Sequence, residues 1–305
     1  MPAHAYADVH MIPPMTVPIS GSCGSCGNPV ELWVDRCRHC QADVGFPNVR
    51  AASDPEEVAA LHERYSHACV GKTEPVKAAL RALEEVVTTR SRAVLNRKPE
   101  AFESMLRSED DITYQFYRQI DAGLRLPQSD DFNKVRVIAD DIAFPGYKEE
   151  IRFASLVLDD IGLTSYGSCT LALRTPLICT RATVLDQNSL FFANDASRSG
   201  DLFSLLSLPM GHRATWAERG KLAVVKLAPV IESDPAVDPA TALVGRSGST
   251  EDDDFVEVHI WGSITAKGLE AVTFSPDASK RSDLYRKVAM ERLAQLGIPF
   301  RVVPA

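Results

Sequence analysis

The 305-residue chain has no apolar run approaching the roughly 18 residues of a membrane-spanning helix. Its opening stretch, "MPAHAYADVHMIPPMTVPIS", lacks the basic n-region and continuous apolar h-region of a secretory signal. The expectation is a protein of the cytoplasm with no membrane partner. Positive charge is also short. Lys and Arg number 33 against 41 Asp and Glu, and the net charge of −8 opposes broad electrostatic capture of nucleic acid, though not binding at a local patch. There is no G-x-x-x-x-G-K-[ST], no G-x-G-x-x-G after a strand, no H-E-x-x-H and no G-x-S-x-G, so phosphate-loop, Rossmann, zincin and hydrolase-elbow chemistries lose their main support. Of only seven histidines, His212 and His259 alone lie in the C-terminal half, which argues against a second metal site or a Ser/His/Asp triad.

The chain is long enough for one large core and a second small unit. Four of its seven cysteines, Cys23, Cys26, Cys37 and Cys40, form C-x2-C-x10-C-x2-C. Each C-x-x-C places two thiolates on a tight turn, and the ten residues between suffice for a hairpin that closes a tetrahedral Zn2+ site. Gly24, Gly27 and Pro29 supply turn chemistry around the first knuckle. Two disulfides or coincidence are the bland alternatives, and thioredoxin-type redox work would need a βαβ setting. Arg36, Arg38 and Arg50 balance Glu31, Asp35 and Asp43, so the ribbon is neutral. Neutrality favours a structural or protein-docking role over phosphate binding. Trp33 and Phe46 are candidate contact residues, with Trp33 equally readable as the ribbon's own small core.

Residues 1–20 hold four prolines and read as a mobile tail, residues 21–49 as the zinc ribbon, residues 50–128 as a helical connector and residues 129–305 as a mixed α/β domain. In the connector, "SDPEEVAALHERY" opens on Ser53 as N-cap, and "TEPVKAALRALEEVV" on Thr73, with Val76, Leu80, Leu83 and Val87 at helical spacing. A third helix covers about residues 98 to 122, and "RSRAVLNRK" reads as a solvated helix face or a phosphate site. Beyond "LRLPQSDD", strands are expected at "KVRVIADDIAF", "SCTLALR", "RATVLD", "KLAVVKLAPV", "FVEVHIWG", "AVTFSP" and "FRVVP". Helices are expected around 147–160 and 281–296, the last with Tyr285, Val288, Ala289, Leu293 and Leu296 inward and Gly297 as its stop. The fold class is α+β with short antiparallel strands.

The stretch "DDDFVEVHIWGSI", residues 252 to 264, carries the candidate chemistry. Alternation turns Val256, Val258 and Ile260 to one face, and Phe255, Glu257, His259 and Trp261 to the other. Upstream, "YGSCTLALRTPLICTRATVLDQNSLFF", residues 166 to 192, reads as a turn, a strand, a break at Pro176, a second strand and "DQNS" before an aromatic pair. Together, over about residues 150 to 275, these pieces resemble the ADP-ribosyltransferase superfamily, whose members often carry the catalytic Glu on a late strand ended by a turn.

The resemblance implies NAD as substrate and a protein or nucleic acid as target, chosen by the ribbon and helices in a toxin-like or phage-defence setting. It implies Glu257 as the carboxylate beside the nicotinamide ribose, and His259 at the cleft edge orienting the acceptor or that carboxylate. Ser189 resembles the serine that orders the cleft. Phe191, Phe192 or Trp261 would stack on nicotinamide, and Arg174 or Arg181 would hold phosphate. The Arg or His of the opening strand has Arg136 and Arg152 as candidates. Where many members carry Glu or Gln two residues before the catalytic Glu, this chain has Phe255, a departure from the arginine-modifying pattern. Against all this stands a plain reading. Glu257 and His259 would be the polar side of a sheet, Ser189 a turn cap, Phe191 and Phe192 core, and the chain a zinc-ribbon adaptor or inactive relative that binds a partner.

Overall fold

The computed structural model describes residues 19–107, 131–192, 208–245, 253–277 and 279–304. The chain enters through an antiparallel pair, β1 (Ile19–Ser22) and β2 (Pro29–Glu31), so a strand begins in the last residues of the expected tail. Residues 1–18 of that tail lie outside the described residues. Helices α1 (Pro47–Ala52), α2 (Pro55–Cys69) and α3 (Glu74–Arg90) follow. The N-cap of α2 is Asp54, whose carboxylate accepts the Glu56 N–H at 2.9 Å. Ser53, the expected cap, instead ends α1, its own N–H bonded back to Val49 and Arg50. In α3 the spacing holds: Thr73 stands at the cap position and Val76, Leu80, Leu83 and Val87 are buried.

Next come β3 (Arg92–Arg97), α4 (Pro99–Met105), α5 (Asp131–Ala143), β4 (Ile151–Val157), β5 (Cys169–Leu173), α6 (Thr175–Ile178), β6 (Ala182–Leu185) and β7 (Arg213–Thr215). The chain continues through α7 (Arg219–Ser233), α8 (Pro239–Val244), β8 (Glu257–Trp261), β9 (Leu269–Phe274), α9 (Lys280–Gln295) and β10 (Phe300–Val302). Eight strands make one sheet in the order β10-β9-β5-β3-β4-β8-β6-β7. Every pairing in it is antiparallel except β10 with β9.

Four segments differ from the sequence expectation. "RSRAVLNRK" supplies β3, in the middle of the sheet, so the expected connector is neither wholly helical nor separate from the domain after it. The Ala93–Asn96 core of that strand is buried, as a central strand requires. Residues 147–160 hold β4 in place of a helix. "KVRVIADDIAF" and "KLAVVKLAPV" are the helices α5 and α7, not strands. Helix α7 buries Leu222, Ala223, Val224, Leu227, Ala228 and Ile231, an apolar run that fits a buried helix as well as a buried strand. In α9, Ala289 and Leu293 face inward, whereas Val288 and Leu296 are exposed and Tyr285 is half-buried. Gly297, at φ 67°, ends that helix as expected. The expected boundary near residue 128, and the helix beyond residue 107, fall outside the described residues.

The two sides of the sheet are covered differently. On one, Ala93, Leu95, Leu156, Leu171, Val258, Ile260 and Val272 pack with Leu80, Leu83 and Val87 of α3 and with the buried row of α7. Each such aliphatic side chain contributes about 1.5–3 kcal/mol on burial. On the other, Val94, Leu163, Ala172 and Phe255 form one small apolar cluster and Phe144, Tyr147, Ile151 and Leu185 another. Between these clusters run Ser155, Thr183, Glu257 and His259, all buried.

Candidate functional sites

The four N-terminal thiols form a cluster in which every sulfur lies within 4.8 Å of the others. Cys23 is 3.6 Å from Cys40 and Cys26 is 3.6 Å from Cys37. Thiolates around a tetrahedral Zn2+, each about 2.3 Å from the ion, stand about 3.8 Å apart, so the donor set and its size fit that ion. All four cysteines are free, which excludes the disulfide alternative. The two knuckles repeat one design. Gly27 and Gln41 follow the second cysteine of each, at φ 72° and 61°. Their N–H groups return to the carbonyls of Cys23 and Cys37, both at 2.8 Å. The left-handed turn is ordinary for Gly27 and uncommon for Gln41. The backbone and side-chain N–H groups of Asn28 lower the Cys26 thiol to about 6. Cys40 accepts the Ala42 N–H, which lowers it, but the other three sulfurs and burial push it up to about 12. Such crowding of four acidic groups is relieved when a cation joins them.

The ribbon is not a free module. Trp33 does not lie in the ribbon's small core of Cys23, Val30 and Cys37. It packs outward, against the cluster containing Phe144 and Tyr147. Gly146, at φ 81°, leaves room for it: a Cβ there would come within 2.9 Å of the indole. Phe46 lies against Trp261 of β8, ring centroids 6.3 Å apart.

The second site is built on β8. Register aligns Phe153 of β4, His259 and Thr183 of β6 in one row, and Ser155, Glu257 and Leu185 in the next. Glu257 Oε2 accepts the backbone N–H of Ser189 at 3.0 Å, where a helical turn begins, and lies 3.0 Å from His259 Nε2. A carboxylate is favoured at such a helix start. The His259 ring is held edge-on by Phe144 at 4.6 Å and Phe153 at 5.5 Å. It is 2% exposed, so it lies within the packed face and not at a cleft edge as the resemblance implied. Tyr166 and Asn188 border the same acid. Burial, then the charges of Glu257 and Asp253, push the Tyr166 phenol up to about 12, against a lowering hydrogen bond from Asn188.

The structure therefore brings Glu257, His259 and Ser189 together. The arginines fare differently. Arg174 donates to the Leu269 carbonyl at 2.9 Å and lines a separate cavity of about 900 Å³ with Arg90, Arg92, Lys267, Asp160 and Glu270, away from Glu257. Arg181 donates to the carbonyls of Leu177 and Trp261 at the far end of β8 from Glu257. Arg152 is buried and donates to the Glu149 carbonyl at 3.1 Å. Arg136 stacks over Phe153 at 5.5 Å, one ring from His259. Phe191 is half-buried, and Phe192 meets His212 edge-on at 5.5 Å.

Arg97, in the run read as a solvated helix face or a phosphate site, lies at the end of β3. It keeps some solvent exposure, yet burial and then the neighbouring Arg136 charge lower its guanidinium to about 10. Among the described residues it donates only to the Asn96 carbonyl, at 2.8 Å, and no carboxylate pairs with it. No signal in "RSRAVLNRK" separates Arg97 from its neighbours until the strand is known. Tyr166 and Asn188 were within reach, since both lie in the stretch already singled out. A further polar cluster ties the sheet edge to α2. Asp186 accepts from Arg64 at 2.8 Å and from His212 Nδ1 at 2.9 Å, and buried Glu57 accepts the Gly211 N–H at 3.0 Å.

No family model and no curated protein matches the chain. Among the described residues no helix is long and apolar enough to cross a membrane. The four-cysteine cluster could hold a zinc ion.

Proposed function

We propose that the chain is an NAD-dependent mono-ADP-ribosyltransferase acting at Glu257, with a structural Zn2+ on the four cysteines and a protein or nucleic acid target. One observation carries this reading: an acid on the polar side of a central strand, fixed by the Ser189 N–H and the His259 imidazole, each at 3.0 Å. Breaking the nicotinamide–ribose bond builds positive charge at the ribose, and a fixed carboxylate stabilises that charge without reorganising. His259, itself wedged between Phe144 and Phe153, keeps the carboxylate oriented. Arg97, which no carboxylate pairs among the described residues, is the guanidinium suited to the pyrophosphate, with Arg136 beside it held by Asp140 at 3.7 Å.

A second reading is favoured by one specific fact. Glu257 is only 6% exposed, so the same contacts suit an acid that ties strand to turn in a binding protein without catalysis. Calorimetry with NAD, followed by the Glu257→Gln variant, separates the two. The transferase reading expects NAD to bind the native protein, and Glu257→Gln to bind it almost as well while NAD hydrolysis falls by about a hundredfold or more. Absence of NAD binding, or full hydrolysis in the variant, removes the transferase reading.

A further inference from the structure

We infer that the metal-held ribbon positions the Glu257–His259 pair, with Asn48 and Arg50 as the positioning residues. Both lie on α1, the short helix between the ribbon and the sheet. Arg50 faces the ribbon. Its guanidinium donates to the carbonyls of Val34 at 2.7 Å, Gly45 at 2.5 Å, Leu32 at 2.9 Å and Glu31 at 3.1 Å, and at longer range to that of Val44. These carbonyls belong to the two arms joined by the cysteines, so their convergence on one side chain depends on the ribbon's closed shape. A bare loop has no reason to aim so many carbonyls at one point.

Asn48 faces the sheet. Buried to 3% exposure, its Nδ2 donates to the carbonyls of Arg181 and His259, both at 3.1 Å. It therefore bridges β6 and β8 at the residue whose imidazole touches Glu257. A second route runs through Trp33, seated on Gly146, two residues from the Phe144 ring that lies 4.6 Å from His259. Two routes from the ribbon thus reach His259, at its backbone directly through Asn48 on α1 and at its ring by way of Trp33 and Phe144. Buried polar ties of this kind are costly to leave half-made, so loosening the ribbon is transmitted and not absorbed.

The contacts stand whatever the chain does with NAD, and their meaning for catalysis rests on the reading above. The test is hydrogen exchange and the His259 side-chain NMR signal, both recorded without NAD. Removing the metal with a chelator, and separately Asn48→Leu, should each speed exchange in β6 and β8 by about tenfold and shift the His259 signal, with the α3–α7 amides unchanged. Asn48→Leu should keep its metal, which separates loss of the tie from loss of the ribbon. Arg50→Lys keeps the charge but cannot span the carbonyls, and should give the same change at His259 to a smaller degree. If the chelated protein and Asn48→Leu both keep native exchange in β8 and a native His259 signal, the inference fails. A native protein that shows the coupling but never binds NAD would sink the transferase reading alone.

Discussion

Val258 and His259 are neighbours in the chain and are 0% and 2% exposed, but what surrounds them differs in kind. Val258 belongs to the apolar core over α3 and α7, where an apolar side chain of similar volume would serve. His259 lies in a mixed layer of aromatic rings, hydroxyls and an acid, where each polar atom needs a specific partner. The first face is a source of stability, and the second holds polar groups whose burial costs stability unless each is partnered. Equal dryness therefore hides two kinds of packing, one set by volume and the other by particular partners.

That contrast can be broken most forcefully on the apolar side. Val258→Asp places an unpaired charge among Leu and Val and should cost more than about 4 kcal/mol, enough to abolish the cooperative urea transition. A transition close to native would mean that this face is not the main core. A smaller effect sharpens the polar side. Burial pushes the phenols of Tyr147 and Tyr166 up to about 12. Between about pH 10 and 12 the unfolded chain loses these protons while the folded one keeps them, so stability is full below pH 10 and falls as pH rises. The drop is on the order of 1–3 kcal/mol per tyrosine. Tyr147→Phe and Tyr166→Phe should each remove part of that alkaline slope in thermal melts, and an unchanged slope in both would show that neither phenol is enclosed. The smallest effect is expected from Thr183→Val, since the Thr183 hydroxyl receives Asn48 Nδ2 only at 3.4 Å and two carbonyls remain for that amide. Stability should change by less than about 1 kcal/mol, and a larger loss would place the hydroxyl among the essential partners.

The legible parts of the molecule were those governed by local rules. Cysteine spacing found the thiol cluster, and alternation put Glu257 and His259 on one face of a real strand. What failed was anything decided by packing against residues far along the chain. Helix α7 buries an apolar row with β-branched residues that read as a strand, β4 stands where a helix was expected, and β3 was read as a helix face because arginines at its ends suggested solvent. The same limit hid what sets Arg97 apart from its neighbours and the packing of Trp33 on the main domain, which depend on residues far along the chain.

The seat of Trp33 on Gly146 also bears on the order of synthesis. The ribbon leaves the ribosome ahead of Gly146, and its cysteines are complete before the glycine that receives the indole has been made. Domains emerge N-terminal end first, at roughly 5–20 residues per second. The nascent ribbon therefore spends several seconds with a large aromatic ring uncovered. Over that interval the segment has only its own contacts, the small core of Cys23, Val30 and Cys37 and a thiol cluster that could hold a metal ion, in place of its final neighbour.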